Sequence, residues 1–220
     1  MLAQGGHNWI LGTLLISSLT LLIFILTKML ILLAISLILL LLVCFFMLFF
    51  RDPERVPSRG IVAPADGRII SITTSDTSKY DSKGQIKRPK NQRFIRIATF
   101  MSVFNVHVNR APISGKVLSI THKPGKFLPA YKSESKNNER VITTFKTKIG
   151  KIIIIQIAGI LAQRIIPYIH PNEYLKKGQR LGIIQFGSRV DLILPKNRVK
   201  ILVKNHQRVF AGSTTVAEII

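Results

Sequence analysis

Residues 9–50 are an almost unbroken run of Leu, Ile, Phe, Val, Met and Ala, interrupted by Lys28 and a few hydroxyl side chains. So long a run has no polar face to turn to water, and that restricts it to a membrane. A hydrocarbon core of about 30 Å takes roughly 20 helical residues at about 1.5 Å each. The run is about twice that length, so two spans fit it best, near 9–27 and 29–50. Lys28 then falls at the far membrane surface, because a charge at the bilayer centre costs at least about 2.5 kcal/mol. One tilted span with an interfacial helix is the other arrangement the run permits. A cleaved signal peptide fits less well, since the basic leading region is missing and the apolar stretch is too long. The exit sequence RDPERVPSRG places Arg51, Arg55 and Arg59 directly after the run. The positive-inside tendency puts them in the cytoplasm, with the anchor (1–50) in the cell (inner) membrane. Pro53, Pro57 and Gly60 predict a short extended linker over 51–60.

Beyond the anchor the chain is strongly cationic. Of 32 basic residues only Lys28 lies in the first 50, while all 10 acidic residues lie outside them. Such a charge draws nucleic acid, anionic lipid or acidic ligands and says nothing about fold. An anchored non-enzymatic binder of nucleic acid or anionic lipid is therefore one reading. No aromatic-rich or recognisable nucleic-acid motif supports the first of those partners, and none is expected to bind. Cys44, inside the apolar run, is the single cysteine, which excludes an internal disulfide and a cysteine metal site. His7, His107, His122, His170 and His206 are scattered without a ligand pair, so no metal is expected.

From residue 61 short β-branched runs alternate with turn residues: 67–74, 93–100, 115–121, 140–147, 151–157, 181–194 and 198–203. This spacing predicts a mainly β catalytic domain over 61–220, an antiparallel sandwich or barrel-like fold with few short helices. It is preceded by the N-terminal helical membrane anchor. The hydrophilic stretch 75–92 reads as a hairpin tip or loop.

Three motifs carry a polar group that a strand does not need. In PADG, Asp66 precedes Gly67, as in many tight turns. In NVHVNRAP, His107 alternates with Val106 and Val108 and projects from one strand face. In FGSR, Gly187 and Ser188 interrupt the run 181–194, where a glycine signals a β-bulge or a close backbone approach. An Asp, a His and a Ser on separate elements are the parts of a charge relay. They fit a membrane-anchored Ser/His/Asp hydrolase or peptidase, although the G-x-S-x-G elbow is absent. A serine activated toward its own preceding carbonyl is the other option.

The ordered set RDPER (51–55), PADG (64–67), NVHVNRAP (105–112), PGKF (124–127), NER (138–140), AG (158–159), Gln163-Arg164 and FGSRVD (186–191) resembles the phosphatidylserine decarboxylase family in its short, bacterial and archaeal form. Gln163 departs from the pattern, in which a second arginine is common. The resemblance covers 51–217 and implies a zymogen that matures by autocatalytic cleavage. Ser188 attacks the Gly187 carbonyl, and an N-to-O acyl shift and elimination follow. The products are a β chain (1–187) and an α chain (188–220), held as a heterodimer, with a pyruvoyl cofactor derived from Ser188. By similarity His107 takes the serine proton and Asp66 orients His107, with backbone N–H groups stabilising the oxyanion. The pyruvoyl group is then expected to form a Schiff base with phosphatidylserine, release carbon dioxide and yield phosphatidylethanolamine, a step in phospholipid biosynthesis. His107 is the expected proton donor, because imidazole both accepts and returns a proton near neutrality.

A second Gly-Ser pair, Gly212-Ser213, would release only eight residues on cleavage, against 33 from Gly187-Ser188, and is rejected as the site. Phosphatidylserine is anionic, so a cationic domain would be drawn to a bilayer containing it. Lys123, Lys126, Arg110 and Arg164 are the candidate headgroup or surface contacts.

Overall fold

The computed structural model describes residues 1–75, 93–131, 135, 137–160, 164–185 and 187–220. The chain divides between Glu54 and Arg55 into two units. In the first, the apolar run forms α1 (Gly6–Thr27) and α2 (Leu30–Phe49). Both are long and apolar enough to cross a membrane. The reversal falls on Lys28, which adopts left-handed backbone (φ 60) and closes α1 by donating its N–H to the Phe24 carbonyl at 2.7 Å. Between the helices, the Ser17 Oγ donates to the Ser36 carbonyl at 3.0 Å and the Ser36 Oγ to the Ser17 carbonyl at 3.1 Å. In an apolar environment a hydroxyl needs a protein acceptor, so this reciprocal pair clasps the hairpin.

The second unit begins inside the stretch expected as a linker. From Arg55 onward that stretch is bonded into the β-domain: Ser58 donates its N–H to the Gly212 carbonyl at 3.3 Å, and Lys177 Nζ donates to the Ser58 carbonyl at 2.6 Å. The strands are β1 (Ile61–Val62), β2 (Gly67–Ser75), β3 (Phe94–Met101), β4 (Val108–Arg110), β5 (Gly115–Lys123), β6 (Arg140–Thr147), β7 (Gly150–Ala158), β8 (Ile165–Pro167), β9 (Tyr174–Leu175), β10 (Arg180–Ile184), β11 (Ser188–Pro195), β12 (Val199–Ile201), β13 (Arg208–Val209) and β14 (Thr215–Ile219). The largest sheet has the order β13-β2-β3-β11-β7-β6-β5-β9 with antiparallel neighbours throughout. Among the described residues there are also two three-stranded sheets, β4-β10-β8 and β1-β14-β12. The mainly antiparallel β-fold expected from the sequence is the one observed.

Alternation along the central strands sorts the side chains into two apolar layers. Val190, Leu192 and Leu194 of β11 join Ile152, Ile154 and Phe145 in the main core. Ile193 joins Phe94, Ile142, Ile153, Ile155 and Ile157 on the opposite face. At roughly 25 cal/mol per Å² of apolar surface, these two layers supply the main drive for folding.

One expectation needs correction. The run 181–194 is not one strand: β10 and β11 belong to different sheets, and the chain turns between them at Gly187 (φ 65). Apolar composition is the same on both sides of the corner, so only the backbone conformation separates them. The expected loop after Ser75, together with Gln163 and Phe186, lies outside the described residues.

Candidate active site

The corner between β10 and β11 puts Ser188 at the first position of a strand hydrogen-bonded on both sides, opposite Met101 of β3 and Ala158 of β7. Its side chain is fully buried on the face of the main core. The Ser188 Oγ donates to the Met101 sulfur at 3.4 Å, and Asn109 Nδ2 approaches the same sulfur at 3.6 Å. Gln156 Nε2 in turn donates to Asn109 Oδ1 at 2.8 Å. A buried amide of this kind is retained only if its polar atoms are satisfied, and here Gln156 satisfies the Asn109 oxygen while the Asn109 nitrogen turns to the Met101 sulfur beside the serine.

The carbonyl that precedes Ser188 is also held. Gly187 O accepts the Gly159 N–H at 2.9 Å. A β-carbon on Gly159 would stand 2.3 Å from that oxygen, so only glycine lets the two backbones approach. Gly187 needs glycine for another reason. A β-carbon there would meet nothing within 4 Å, but φ 65 disfavours any other residue. The N–H of Gly159 therefore points at the oxygen on which negative charge would develop if Ser188 attacked.

His107 is fully buried immediately before β4. Its carbonyl accepts the Ile184 N–H at 3.4 Å, which ties it to the chain entering the corner. Its Nδ1 lies 2.8 Å from the Asn105 carbonyl oxygen. A carbonyl can only accept, so Nδ1 carries the hydrogen, and in the neutral imidazole Nε2 carries the lone pair. The carbonyl is fixed by a tight turn, in which Asn105 Oδ1 accepts both the N–H and the hydroxyl of Ser102 at 2.9 Å.

The structure does not join Asp66 to this imidazole. Among the described residues, the buried Asp66 carboxylate receives both guanidinium nitrogens of Arg55, with Nη2–Oδ2 at 2.8 Å, and the Ala211 N–H at 2.8 Å. The histidine tautomer is set by a backbone carbonyl, while Asp66 bolts the chain entry at Arg55 to the PADG turn. Arg110 also departs from its expected place. It is buried on β4 and donates to the Gly178 carbonyl at 3.0 Å, because β4 is bonded against β10 rather than lying at a surface. Lys126 and Arg164 are exposed.

The remaining motifs serve as supports. Asn138 Nδ2 donates to the carbonyls of Ala158 (2.7 Å) and Leu128 (2.6 Å), clipping the PGKF segment over the end of β7. Arg189 forms a bidentate pair with Asp191 on the face away from Ser188, at 2.6 and 2.7 Å, and so holds the start of β11. Ser213, by contrast, lies exposed in a turn, its N–H donated to the Phe210 carbonyl at 3.2 Å. A cavity of about 430 Å³, lined by Arg68, Arg208, Phe100, Phe104, Ser102 and Asn105, adjoins the turn that holds His107. A larger one of about 560 Å³ lies at the other end of the sheet, beside Lys116 and Lys146.

Sequence reasoning missed Arg55, Asn109, Gln156 and Met101. Asn109 carried a signal, two residues beyond His107 in an alternating stretch. Gln156, a lone amide among isoleucines, carried another.

Comparison with known proteins gives the class first. A phosphatidylserine decarboxylase proenzyme of Streptomyces coelicolor is 41% identical over 216 residues, covering 98% of this chain and 91% of that protein. One from Carboxydothermus hydrogenoformans is 40% identical over 182 residues, 81% of each chain. A Methanothermobacter thermautotrophicus protein, provisionally named archaetidylserine decarboxylase proenzyme, is 45% identical over 182 residues, 80% of this chain and 81% of that one. The chain is accordingly an enzyme, a decarboxylase. The family follows directly: the family model described as phosphatidylserine decarboxylase matches residues 42–217, and the chain belongs to that family.

Proposed function

We propose that this chain is a proenzyme that cuts itself between Gly187 and Ser188 and then decarboxylates phosphatidylserine to phosphatidylethanolamine at a membrane. The observation that carries the reading is the Gly187 carbonyl, held by the Gly159 N–H directly before a buried serine. The Ser188 Oγ adds to that carbonyl carbon and its proton passes to Nε2 of His107, the nitrogen left basic by the Asn105 contact. The imidazolium passes that proton to the Ser188 nitrogen as the amide C–N bond breaks, leaving Gly187 esterified to the Ser188 oxygen and a free amine on Ser188. Loss of the Ser188 Cα proton expels the Gly187 carboxylate, and water converts the resulting dehydroalanine to a pyruvoyl group and ammonia. Once formed, that group supplies a carbonyl for the substrate amine and an electron sink for the departing carboxylate.

The chain's own residues fit this use. A 33-residue fragment starting at position 188 keeps β11 between β3 and β7, so the new chain end stays in the core. Arg189, locked to Asp191, anchors it one residue from the cut. His107 is the group we assign to return a proton after carbon dioxide leaves. The two apolar helices and the flanking Arg51 and Arg59 support an anchor in the inner membrane, with the β-domain facing the cytoplasm. The Asp66–Arg55 pairing takes the expected relay carboxylate away from His107 in the hydrolase and proenzyme readings alike; what sets the hydrolase apart is the G-x-S-x-G elbow, which the chain lacks. Full-length protein incubated with phosphatidylserine vesicles should form phosphatidylethanolamine, and Ser188→Ala should remove that activity. An active Ser188→Ala protein would overturn the proposal.

A further inference from the structure

The strand register places a transverse row of side chains across the largest sheet, one residue from Ser188 and on the face away from it. Arg208 lies opposite Arg68, Arg68 opposite Phe100, Phe100 opposite Arg189, Arg189 opposite Ile157, and Ile157 opposite Arg140. Directly opposed residues share a face, and like charges set opposite one another destabilise a sheet. Arg189 is compensated by Asp191. Arg68 and Arg208 both line the cavity described above, and among the described residues no carboxylate lines it.

The same end of the sheet exposes large apolar side chains on the segments that build the site. Phe104 (65% exposed) stands between Met101 and His107, and Ile160 (59%) directly follows Gly159. Tyr131 (60%) follows Ala130, whose β-carbon lies against Gly159, and packs edge-on to Phe100 at 5.9 Å. Phe127 (43%) sits in the segment that Asn138 clips to β7. Exposed aromatic and aliphatic tips beside a cationic row are the composition of a surface that seats in an anionic lipid interface. Charge alone does not choose this face, because Lys116, Lys146 and Lys151 form a second row at the far end. There the exposed large side chains beside the row are Tyr174 (65%), opposite Lys116, and Ile219 (37%), which lines the cavity with Lys116 and Lys146, against four at the Ser188 end. The two ends are roughly 20 Å apart along β6.

We infer that the Ser188 end of the β-domain docks directly on an anionic bilayer surface, with Phe104, Phe127, Tyr131 and Ile160 inserted and Arg68, Arg208 and Arg140 on the headgroups. This rests on the lipid decarboxylase reading for its purpose, though not for its test. The docked surface surrounds the site, so a lipid headgroup would enter without its chains leaving the bilayer.

The test is depth-dependent quenching in the full chain. Trp9→Phe removes the sole tryptophan, and Phe127→Trp or Tyr174→Trp then reports from one end of the sheet. Each protein is reconstituted in phosphatidylglycerol and phosphatidylcholine vesicles carrying acyl-brominated phosphatidylcholine, without substrate. The emission at position 127 should be blue-shifted and quenched several times more strongly than that at 174. Adding Arg68→Gln and Arg208→Gln should lower the docked-to-free ratio roughly fivefold per cation removed. Equal quenching at the two positions, or none at 127, would overturn the docking. A gel of the same samples reads cleavage at Gly187-Ser188 separately. Cleaved protein without quenching at 127 rejects the docking alone, and uncleaved protein with quenching at 127 rejects the proenzyme reading alone.

Discussion

Replacing Gly159 by alanine drives a methyl group against the Gly187 carbonyl oxygen. The added carbon would stand 2.3 Å from that oxygen and 3.0 Å from its carbon, whereas ordinary contact begins at 3.4 Å. One strand end must therefore move by about 1 Å, which breaks the 2.9 Å hydrogen bond from the Gly159 N–H. Removing a single oxyanion donor costs roughly 10²–10³ in rate, or about 3–4 kcal/mol of barrier. The strain of an extra methyl group in a packed interior adds about 1–3 kcal/mol of destabilisation. The assay is a time course of precursor and fragments on a denaturing gel, using protein made under conditions that keep the precursor, with a thermal melt for the folded fraction. Folded Gly159→Ala precursor should cleave at least about a hundredfold more slowly than wild type. If it cleaved at nearly the wild-type rate while folded, the Gly159 N–H would have no part in activating the Gly187 carbonyl, and the account of the junction would fail.

Two further substitutions separate roles that the sequence grouped together. Asp66→Asn leaves the Arg55 guanidinium, largely buried, without its charge partner. It should lower stability in denaturant titration by about 3–5 kcal/mol while each folded molecule still cleaves; His107→Gln should do the reverse, slowing cleavage by roughly 10²–10⁴ at near-normal stability. A stable, uncleaved Asp66→Asn protein would restore Asp66 to a relay with His107. Gln156→Leu strands the buried Asn109 oxygen and should cost about 1–3 kcal/mol in the same titration, whereas an unchanged midpoint would show that the amide pair does not order the pocket.

Much of this architecture is legible in the chain because its strands are long enough to show their period. β3, β5, β6 and β7 fall on β-branched runs bounded by turn residues. The short strands β1, β8, β9 and β13 are set by partners far away in sequence, and no local pattern marks them, while β4 shows only in the alternation around His107. The corner at Gly187 was visible as a glycine in a strand-like run, but its φ of 65 was not, so two strands read as one. At the candidate site, motif order singles out Ser188, His107 and Gly187. The partnership of Asp66 was misread because Arg55 had a second explanation, as a charge flanking the membrane, and pairing across 11 residues leaves no periodic trace. The need for Gly159 is a close approach of two backbones, a distance rather than a pattern.

The central claim concerns one peptide bond, and intact-mass analysis of the purified, denatured full-length chain tests it most directly. Two masses should appear, one for residues 1–187 ending in a free carboxylate and one for residues 188–220. The smaller should be lighter by one ammonia than the peptide beginning with serine, and blocked to sequencing from its amino end. A single mass for all 220 residues in protein that actively decarboxylates phosphatidylserine would contradict the account, as would a cut at any other bond.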